Sequence, residues 1–178
     1  AAVAVYRQIA HSSYQIEKLE NKIDGDIFSG KVDRVDVAPA EQLNGQDRHF
    51  VRVIDYKSGS IETSVSSYYV GKKLQLELYM SALAKEAVPA GVFYFPTSLQ
   101  YDTKQTGRFQ LKGFFNNDTL ALRSGDNDIC EEHVSEFFPA SLKKSTSQSG
   151  MDEQSFRDFI EYSTLVSKQG HTELKEGY

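Results

Sequence analysis

Three strand-like segments in succession, followed by one helix, constrain the fold of this chain more than any other feature. The segments are residues 14–23, 27–37 and 50–57. Asp24-Gly25-Asp26 separates the first two and favours a turn, because glycine tolerates positive φ and aspartate caps its own backbone. The stretch 38–48 contains Pro39 and Asn44-Gly45 and is interpreted as a loop. The sequence therefore predicts an antiparallel meander of three strands.

The clearest helix in the sequence follows the meander, at residues 68–87. Its apolar positions recur at helical spacing, and Pro89 is expected to end it. Residues 91–96, GVFYFP, are typical of a buried strand beside such a helix. The remaining segments are interpreted as a helix at 1–11, a strand or hairpin arm at 108–115, a mobile loop at 141–150, a helix at 153–168 and a strand at 171–178. This order predicts an α/β domain whose mixed sheet is flanked by helices.

Length, charge and cysteine content limit the organisation of the chain. Its 178 residues predict a single domain over 1–178, and the absence of an initiator Met indicates a fragment of a longer protein. No apolar run approaches the roughly 20 residues that span a bilayer, so we expect no membrane association. Cys130 is the only cysteine, which excludes an internal disulfide and fits a cytoplasmic location. The net charge of −5 argues against a purely electrostatic nucleic-acid binder, but not against a carboxylate-rich metal site.

Two carboxylates stand at the ends of apolar rows in neighbouring strands. Side chains two apart on a strand share a face, so Asp55 continues the row of Val51 and Val53, and Asp33 lies on the face of Val35. Burying one carboxylate is costly, and two side by side also repel each other. A divalent cation between them removes both problems. Oxygen ligands of this kind favour Mg²⁺, with Mn²⁺ as the alternative.

Lys57 belongs to the same row as Asp55. An ammonium group there can hold or deprotonate a water molecule at the metal and stabilise the charge that grows on a phosphate, which suits phosphodiester hydrolysis. The alternative is a surface salt bridge between Asp55 and Lys57, with Asp33 paired to Arg34. The spacing alone leaves both interpretations open, because an Asp and a Lys two residues apart are common by chance.

The helix adds two polar side chains. Gln75 and Tyr79 are four residues apart and therefore share one helix face. Together they can bind a phosphate or a base edge close to the metal. The alternative is a solvated glutamine and a half-buried tyrosine whose hydroxyl bonds to the backbone.

Three motifs in this order resemble the PD-(D/E)XK nucleases, most closely the RecB-like branch. They are GKVDRVD (30–36), VIDYKSG (53–59) and LQLELYMSAL (74–83). The later segments PAGVFYFP (89–96) and LKGFFNND (111–118) resemble the nuclease region of the AddB/RexB family. The resemblance implies a restriction-endonuclease-like fold and a metal-dependent exonuclease that cuts DNA.

The resemblance also implies roles for individual residues. Asp33 and Asp55 match metal ligands, and Lys57 matches the catalytic lysine. Tyr56 would lend its backbone carbonyl to the metal. The two polar residues of the helix, Gln75 and Tyr79, match the motif that contacts DNA.

The upstream acidic position of the family is less well defined. Glu17, in QIEKLEN, is the match that we adopt as a further metal ligand, with Glu20 as the alternative. His11 has no flanking motif and is left outside the site.

The family resemblance further implies partners and limits cofactors. It predicts action at DNA ends, in DNA repair and recombination, together with an AddA/RexA-like helicase–nuclease subunit. An iron–sulfur cluster, which many AddB proteins carry, is not supported within this chain because Cys130 occupies none of the cluster positions. The alternative function is a catalytically inactive nuclease-like module that binds DNA or the helicase partner. The complete set of Asp33, Asp55 and Lys57 argues against that alternative.

Overall fold

The structure is a computed structural model that describes residues 1–25, 28–43, 46–61, 63–64, 66, 68, 74–97, 109–142 and 149–176. The helices that lie wholly within these ranges are α1 (Ala2–Ala10), α2 (Gln75–Leu83), α3 (Thr119–Gly125) and α4 (Glu153–Glu176). Its strands are β1 (Gln15–Asp24), β2 (Ser29–Leu43), β3 (Gln46–Lys57), β4 (Val88–Pro96), β5 (Lys112–Asn116) and β6 (Gly150–Met151). No helix in these described ranges has the length and apolar character needed to cross a membrane.

The six strands form one mixed sheet in the order β1-β2-β3-β4-β5-β6. β1, β2 and β3 are antiparallel neighbours, which confirms the predicted meander. β4 pairs with β3 in parallel, and such a pairing needs a crossover, which here contains α2. β5 is antiparallel to β4, and the short β6 is parallel to β5.

Helices cover both faces of the sheet. On one face, Val35, Val51 and Val53 pack with residues of α2 and α4, including Met80 and Phe156. On the other face, Ile54, Phe93 and Phe95 pack with side chains of α1 and α3. This three-layer arrangement confirms the predicted α/β class, with a mixed sheet flanked by helices.

The predicted loop at 38–48 is wrong. β2 continues to Leu43 and β3 begins at Gln46, so the two strands form a long hairpin in which Leu43 pairs with Gln46. Two residues are enough to close a hairpin, and Asn44 and Gly45 lie outside the described residues. The pairing register shifts between Ala38 and Glu41, and an irregularity of this kind accommodates Pro39 within a strand.

Three other boundaries differ from expectation. α2 ends at Leu83 rather than near residue 87, and Pro89 lies inside β4 instead of ending the helix. Residues 69–73 of the predicted helix lie outside the described residues. The predicted strand at 171–178 is wrong through residue 176, because α4 continues to Glu176. Its alternating polar residues equally suit the exposed end of a helix.

The last part of the chain contains two elements that the sequence analysis missed. α3 begins after Asp118, whose carboxylate accepts a hydrogen bond from the backbone N–H of Leu120. An aspartate at this position is a typical helix N-cap, so the sequence contained a signal for the start of α3. The predicted loop at 141–150 ends instead in β6, and residues 143–148 lie outside the described ranges. The strand predicted at 108–115 is present as β5, beginning at Lys112.

Candidate active site

Asp33 and Asp55 meet where β2 and β3 separate. Arg34 pairs with Ile54 across the two strands, and continuing that register places Asp33 opposite Asp55. The backbone N–H of Tyr56 donates a 2.8 Å hydrogen bond to Asp33 Oδ2. The structure therefore brings the two predicted carboxylates together at the end of the β2–β3 pairing in the sheet.

Asp55 is a buried carboxylate in contact with two charged groups. The residue is only 8% exposed, and burial raises the pKa of its carboxyl above the ordinary value. Lys57 lowers that pKa, and the nearby Asp33 carboxylate raises it further. The Lys57 Nζ atom lies 2.6 Å from Asp55 Oδ2, so the predicted Asp55–Lys57 salt bridge is present. It joins a buried acid to a half-exposed lysine and is not a plain surface pair.

The alternative interpretation also predicted a salt bridge between Asp33 and Arg34, and this prediction is wrong. Arg34 does not pair with Asp33, because the Arg34 side chain points to the opposite face of β2 and binds Asp36 at 2.8 Å. Asp33 instead accepts its hydrogen bond from Tyr56. The Asp33 carboxylate therefore stands beside Asp55 rather than beside the neighbouring arginine.

The donor set of this site fits a small divalent cation. Asp55 Oδ2 is buried and, although close to Lys57, has no hydrogen bond of good geometry within the described ranges. A buried carboxylate oxygen in that state, next to a second carboxylate, is suited to a hard cation. The described ranges contain no group of three or more His, Cys, Asp or Glu side chains that could hold a metal. Mg²⁺ commonly binds through one or two carboxylates, with water and substrate phosphate as its other ligands.

Gln75 and Tyr79 interact directly on α2. The Gln75 Nε2 atom donates a 2.8 Å hydrogen bond to the Tyr79 hydroxyl. Gln75 is exposed, whereas Tyr79 is only 3% exposed and its ring packs near Phe28. The exposed Gln75 amide is thus oriented by a buried tyrosine, and the tyrosine hydroxyl bonds to a side chain rather than to the backbone.

Gly30 explains why Tyr79 can occupy this position. A Cβ atom on Gly30 would collide with the Tyr79 hydroxyl, so the tyrosine packs directly against the backbone of β2. Gly30 lies three residues before Asp33 on the same strand. The glycine of the GKVDRVD motif is therefore required by the packing of α2 against β2, a role that sequence reasoning did not identify.

Comparison with known proteins places the chain in a family. The family model of the PD-(D/E)XK nuclease superfamily matches residues 1–160. The chain belongs to the PD-(D/E)XK nuclease superfamily. This match covers α1, the whole sheet and the first part of α4, and thus includes every residue of the candidate active site.

Several curated relatives are named as a subunit of an ATP-dependent helicase/deoxyribonuclease. The protein from Alkaliphilus oremlandii is 30% identical over 173 residues, which cover 84% of this chain and 14% of the relative. The protein from Listeria monocytogenes is 30% identical over 138 residues, which cover 66% of this chain and 12% of the relative. The protein from Clostridium tetani is 29% identical over 158 residues, covering 74% and 13%. The PD-(D/E)XK nuclease chain thus spans about one seventh of the length of these relatives or less.

The register of β1 favours Glu20 over Glu17 as the acid beside Asp33. Leu19 pairs with Arg34 and Asn21 with Val32, so Glu20 holds the position opposite Asp33. Glu20 has a φ of 50° and forms a 2.7 Å ion pair with Lys31. Glu17 is exposed and lies at the register irregularity between Ile16 and Lys18. A role for Glu17 as a metal ligand stays a prediction, and the pairing of the strands supports the Glu20 alternative.

A buried charge cluster lies on the opposite face of the strands that carry Asp33 and Asp55. Asp36 Oδ2 accepts 2.8 Å hydrogen bonds from Arg34 Nη2 and Arg52 Nε. The Arg52 guanidinium also lies 4.0 Å from the centroid of the Tyr14 ring. All three charged residues are at most 2% exposed. The alternation of Arg34 and Asp36 along β2 was visible in the sequence, but their burial was not.

Glu77 is a second buried group that sequence reasoning missed. It lies on α2 and is 0% exposed, and neither carboxylate oxygen has a hydrogen-bond partner among the described residues. Burial raises the pKa of Glu77 to about 8. The electrostatic influence of Glu77 in turn helps to raise the pKa of Tyr94, to about 12, after the larger effect of burial. Tyr94 pairs with Asp55 across β3 and β4, and α2, which carries Glu77, packs on the sheet face that also carries Asp55.

Proposed function

We propose that this chain hydrolyses DNA phosphodiester bonds in a reaction that depends on Mg²⁺ or Mn²⁺. The observation that carries the proposal is the pairing of buried Asp55 with Asp33, beside Lys57, in a member of a nuclease superfamily. Two adjacent carboxylates that can hold a cation, with one lysine beside them, suit metal-assisted phosphodiester hydrolysis. More specifically, we propose that the enzyme is an exonuclease, which removes nucleotides from the ends of DNA.

Each side chain has a proposed role in this reaction. Asp33 and Asp55 would hold the cation, with the backbone carbonyl of Tyr56 as a further ligand. The cation, when bound, would supply a Lewis acid for the phosphate and lower the pKa of a bound water. The Lys57 side chain, whose Nζ lies 2.6 Å from Asp55 Oδ2, can stabilise negative charge on the scissile phosphate.

The helix α2 is proposed to supply the contact with DNA. The exposed Gln75 amide can donate to a phosphate oxygen or a base edge. Tyr79 is buried, so its proposed contribution is to orient Gln75 through their 2.8 Å hydrogen bond. This arrangement sharpens the motif-based expectation, in which both residues would contact DNA directly.

The names of the relatives support a place for this chain in a larger assembly. We propose that it is the nuclease domain, over residues 1–178, of a longer cytoplasmic subunit in an AddAB/RexAB-type helicase–nuclease. That assembly would act on DNA ends in double-strand break repair and recombination, with an AddA/RexA-like partner subunit. The net charge of −5 fits this proposal, because other parts of such an assembly would supply the basic surface that DNA binding requires.

Degradation of linear DNA tests the proposal. The protein that contains this chain is assayed with Mg²⁺ as the wild type and as Asp55→Ala, Lys57→Ala and Lys112→Ala variants. Lys112 is an exposed lysine on β5 and serves as the matched control. Both active-site variants are expected to lose about a hundredfold or more in rate, a typical loss for removing a group that stabilises the transition state. The Lys112 variant should keep wild-type activity.

Two results would contradict the proposal in different ways. If Asp55→Ala and Lys57→Ala cut as fast as the wild type, the assigned residues are not catalytic. If the wild type itself binds DNA without Mg²⁺-dependent cutting, the chain is the inactive nuclease-like module instead.

A further inference from the structure

Arg34 connects helix α1 to the strand that carries the active site. Gln8 is the buried residue of α1, and its Oε1 atom accepts a 2.7 Å hydrogen bond from Arg34 Nη2. Arg34 Nη1 donates a 3.1 Å hydrogen bond to the hydroxyl of Tyr56. The backbone N–H of Tyr56 in turn donates to Asp33 Oδ2 at 2.8 Å. A continuous series of contacts thus runs from α1 through the sheet to a carboxylate of the candidate metal site.

The charge of the buried cluster is unbalanced. Among the described residues, two guanidinium groups, of Arg34 and Arg52, share the Asp36 carboxylate, so these three side chains together carry one excess positive charge. The Asp33 and Asp55 carboxylates lie on the other face of the same two strands. The excess positive charge therefore lies on the face of β2 and β3 opposite the two carboxylates.

Burying the polar and charged side chains of Gln8, Arg34, Asp36 and Arg52 costs free energy. Four of their buried polar atoms have no hydrogen-bond partner among the described residues, namely Gln8 Nε2, Arg34 Nε, Asp36 Oδ1 and Arg52 Nη2. Apolar side chains of similar volume often stabilise a fold as well as a buried ion pair does, or better. Packing alone therefore gives no reason for this arrangement, whereas the connection to Asp33 does.

We infer that Arg34 and Gln8 are positioning residues of the metal site. Gln8 orients the Arg34 guanidinium, Arg34 holds the Tyr56 ring, and the Tyr56 backbone then holds Asp33 in the orientation that a divalent cation requires. The inference rests on the proposed function, because it assigns to Asp33 the role of a metal ligand. Neither residue touches the cation or the DNA in this arrangement.

Two measurements on the protein that contains this chain, in the absence of DNA, test the inference. The first is hydrogen exchange of the Tyr56 amide in metal-free protein, with the Val53 amide of the same strand as the internal reference. The second is the affinity for Mn²⁺, measured by titration. Arg34→Met is the main variant, because it leaves Arg52 and Asp36 as a neutral pair and is expected to fold. Tyr56→Phe removes only the hydroxyl that Arg34 contacts.

The expected result is a local loss of order that weakens metal binding. Arg34→Met should raise exchange at Tyr56 but not at Val53, and weaken Mn²⁺ binding about tenfold, the lower end of the effect of outer-shell residues at metal sites. Gln8→Leu should act in the same direction and less strongly. Tyr56→Phe should weaken binding too, and adding it to Arg34→Met should produce little further loss, because both changes break one series of contacts.

Three results would overturn the inference. One is Arg34→Met with wild-type Mn²⁺ affinity. Another is equal acceleration of exchange at Tyr56 and Val53, since this would show a purely structural cluster. The third is wild-type Mn²⁺ affinity in Arg34→Lys. The positive charge at this position would then be enough for metal binding, without the hydrogen bonds of the guanidinium group.

Asp33→Asn distinguishes failure of the inference from failure of the proposed function. This variant should abolish Mn²⁺ binding. If it does and Arg34→Met has no effect, only the positioning role is wrong. If Asp33→Asn binds Mn²⁺ like the wild type, the proposed metal site is wrong and the inference falls with it.

Discussion

Glu77 should make the stability of this protein fall as the pH rises. Its carboxyl is fully buried without a hydrogen-bond partner in the described structure, and its pKa rises from 4.5 to about 8 on folding. Between these two values the unfolded chain releases the proton while the folded chain keeps it. The folded state then binds more protons than the unfolded state, so the free energy of unfolding decreases as the pH rises.

The magnitude follows from the width of that pH window. Each pH unit between the two pKa values lowers the free energy of unfolding by about 1.4 kcal/mol. Over the whole window the loss approaches roughly 5 kcal/mol, a large part of the stability of a typical domain. Below about pH 4.5 this loss is absent, and above about pH 8 it is complete.

Glu77→Gln tests this expectation because an amide of nearly the same shape does not titrate. The variant should match the wild type near pH 4 and become progressively more stable than it up to about pH 8. The chain has no tryptophan, so urea unfolding is best followed by circular dichroism, in buffer with a chelator to exclude metal binding. Glu86→Gln, at an exposed position just after α2, is the matched control and should show no such trend.

A difference between Glu77→Gln and the wild type that stays constant from pH 5 to 8 would refute the reasoning. It would mean that Glu77 ionises at the same pH in the folded and unfolded chains. The same trend in Glu86→Gln would likewise exclude Glu77 as its source.

Two further substitutions test the packing around the site. Gly30→Ala should destabilise the fold by about 1–3 kcal/mol in urea unfolding, because its Cβ would collide with the Tyr79 hydroxyl. Gly59→Ala, where a Cβ meets nothing within 4 Å, is its control, and an equal loss in both variants would contradict the packing explanation. Asp36→Asn should cost about 3–5 kcal/mol, because it leaves two buried guanidiniums without a counter-charge. Arg34→Met leaves a neutral pair and should cost clearly less, so an equal cost in the two variants would argue against the charge explanation.

The strand–strand–helix order and the carboxylate positions could be predicted because they depend on local patterns. Alternation along a strand is a property of a few consecutive residues, and it suffices to place Asp33 and Asp55 at the ends of apolar rows. The same alternation puts Lys57 in the row of Asp55, and helical spacing puts Gln75 and Tyr79 on one face of a helix, whereas the family motifs implied the roles of these residues. The structure brings Asp33, Asp55 and Lys57 together and pairs Gln75 with Tyr79.

The prediction was wrong where residues typical of loops lie in segments that pair with a neighbouring strand. Pro39 and the Asn44-Gly45 pair suggested a long loop, but a neighbouring strand can satisfy the backbone of the same residues, so β2 and β3 extend to Leu43 and Gln46. The choice between Glu17 and Glu20 had the same origin. A single irregularity in the β1–β2 register decides which side chain faces Asp33, and no local pattern reveals it.

The type of fold and the chemistry of the candidate site follow from the amino-acid sequence. Alternation, helical spacing and ordered motifs depend on residues close together in the chain. They were enough to predict a mixed α/β sheet and a pair of carboxylates beside Lys57. Which charges are buried, and what each one touches, depends instead on how the layers assemble. Glu77, Arg34 and Gly30 lie in ordinary-looking segments, and their environments come from contacts with residues far away in the chain. Burial and cross-strand register are properties of the assembled layers, which is why these three residues became visible only in the fold.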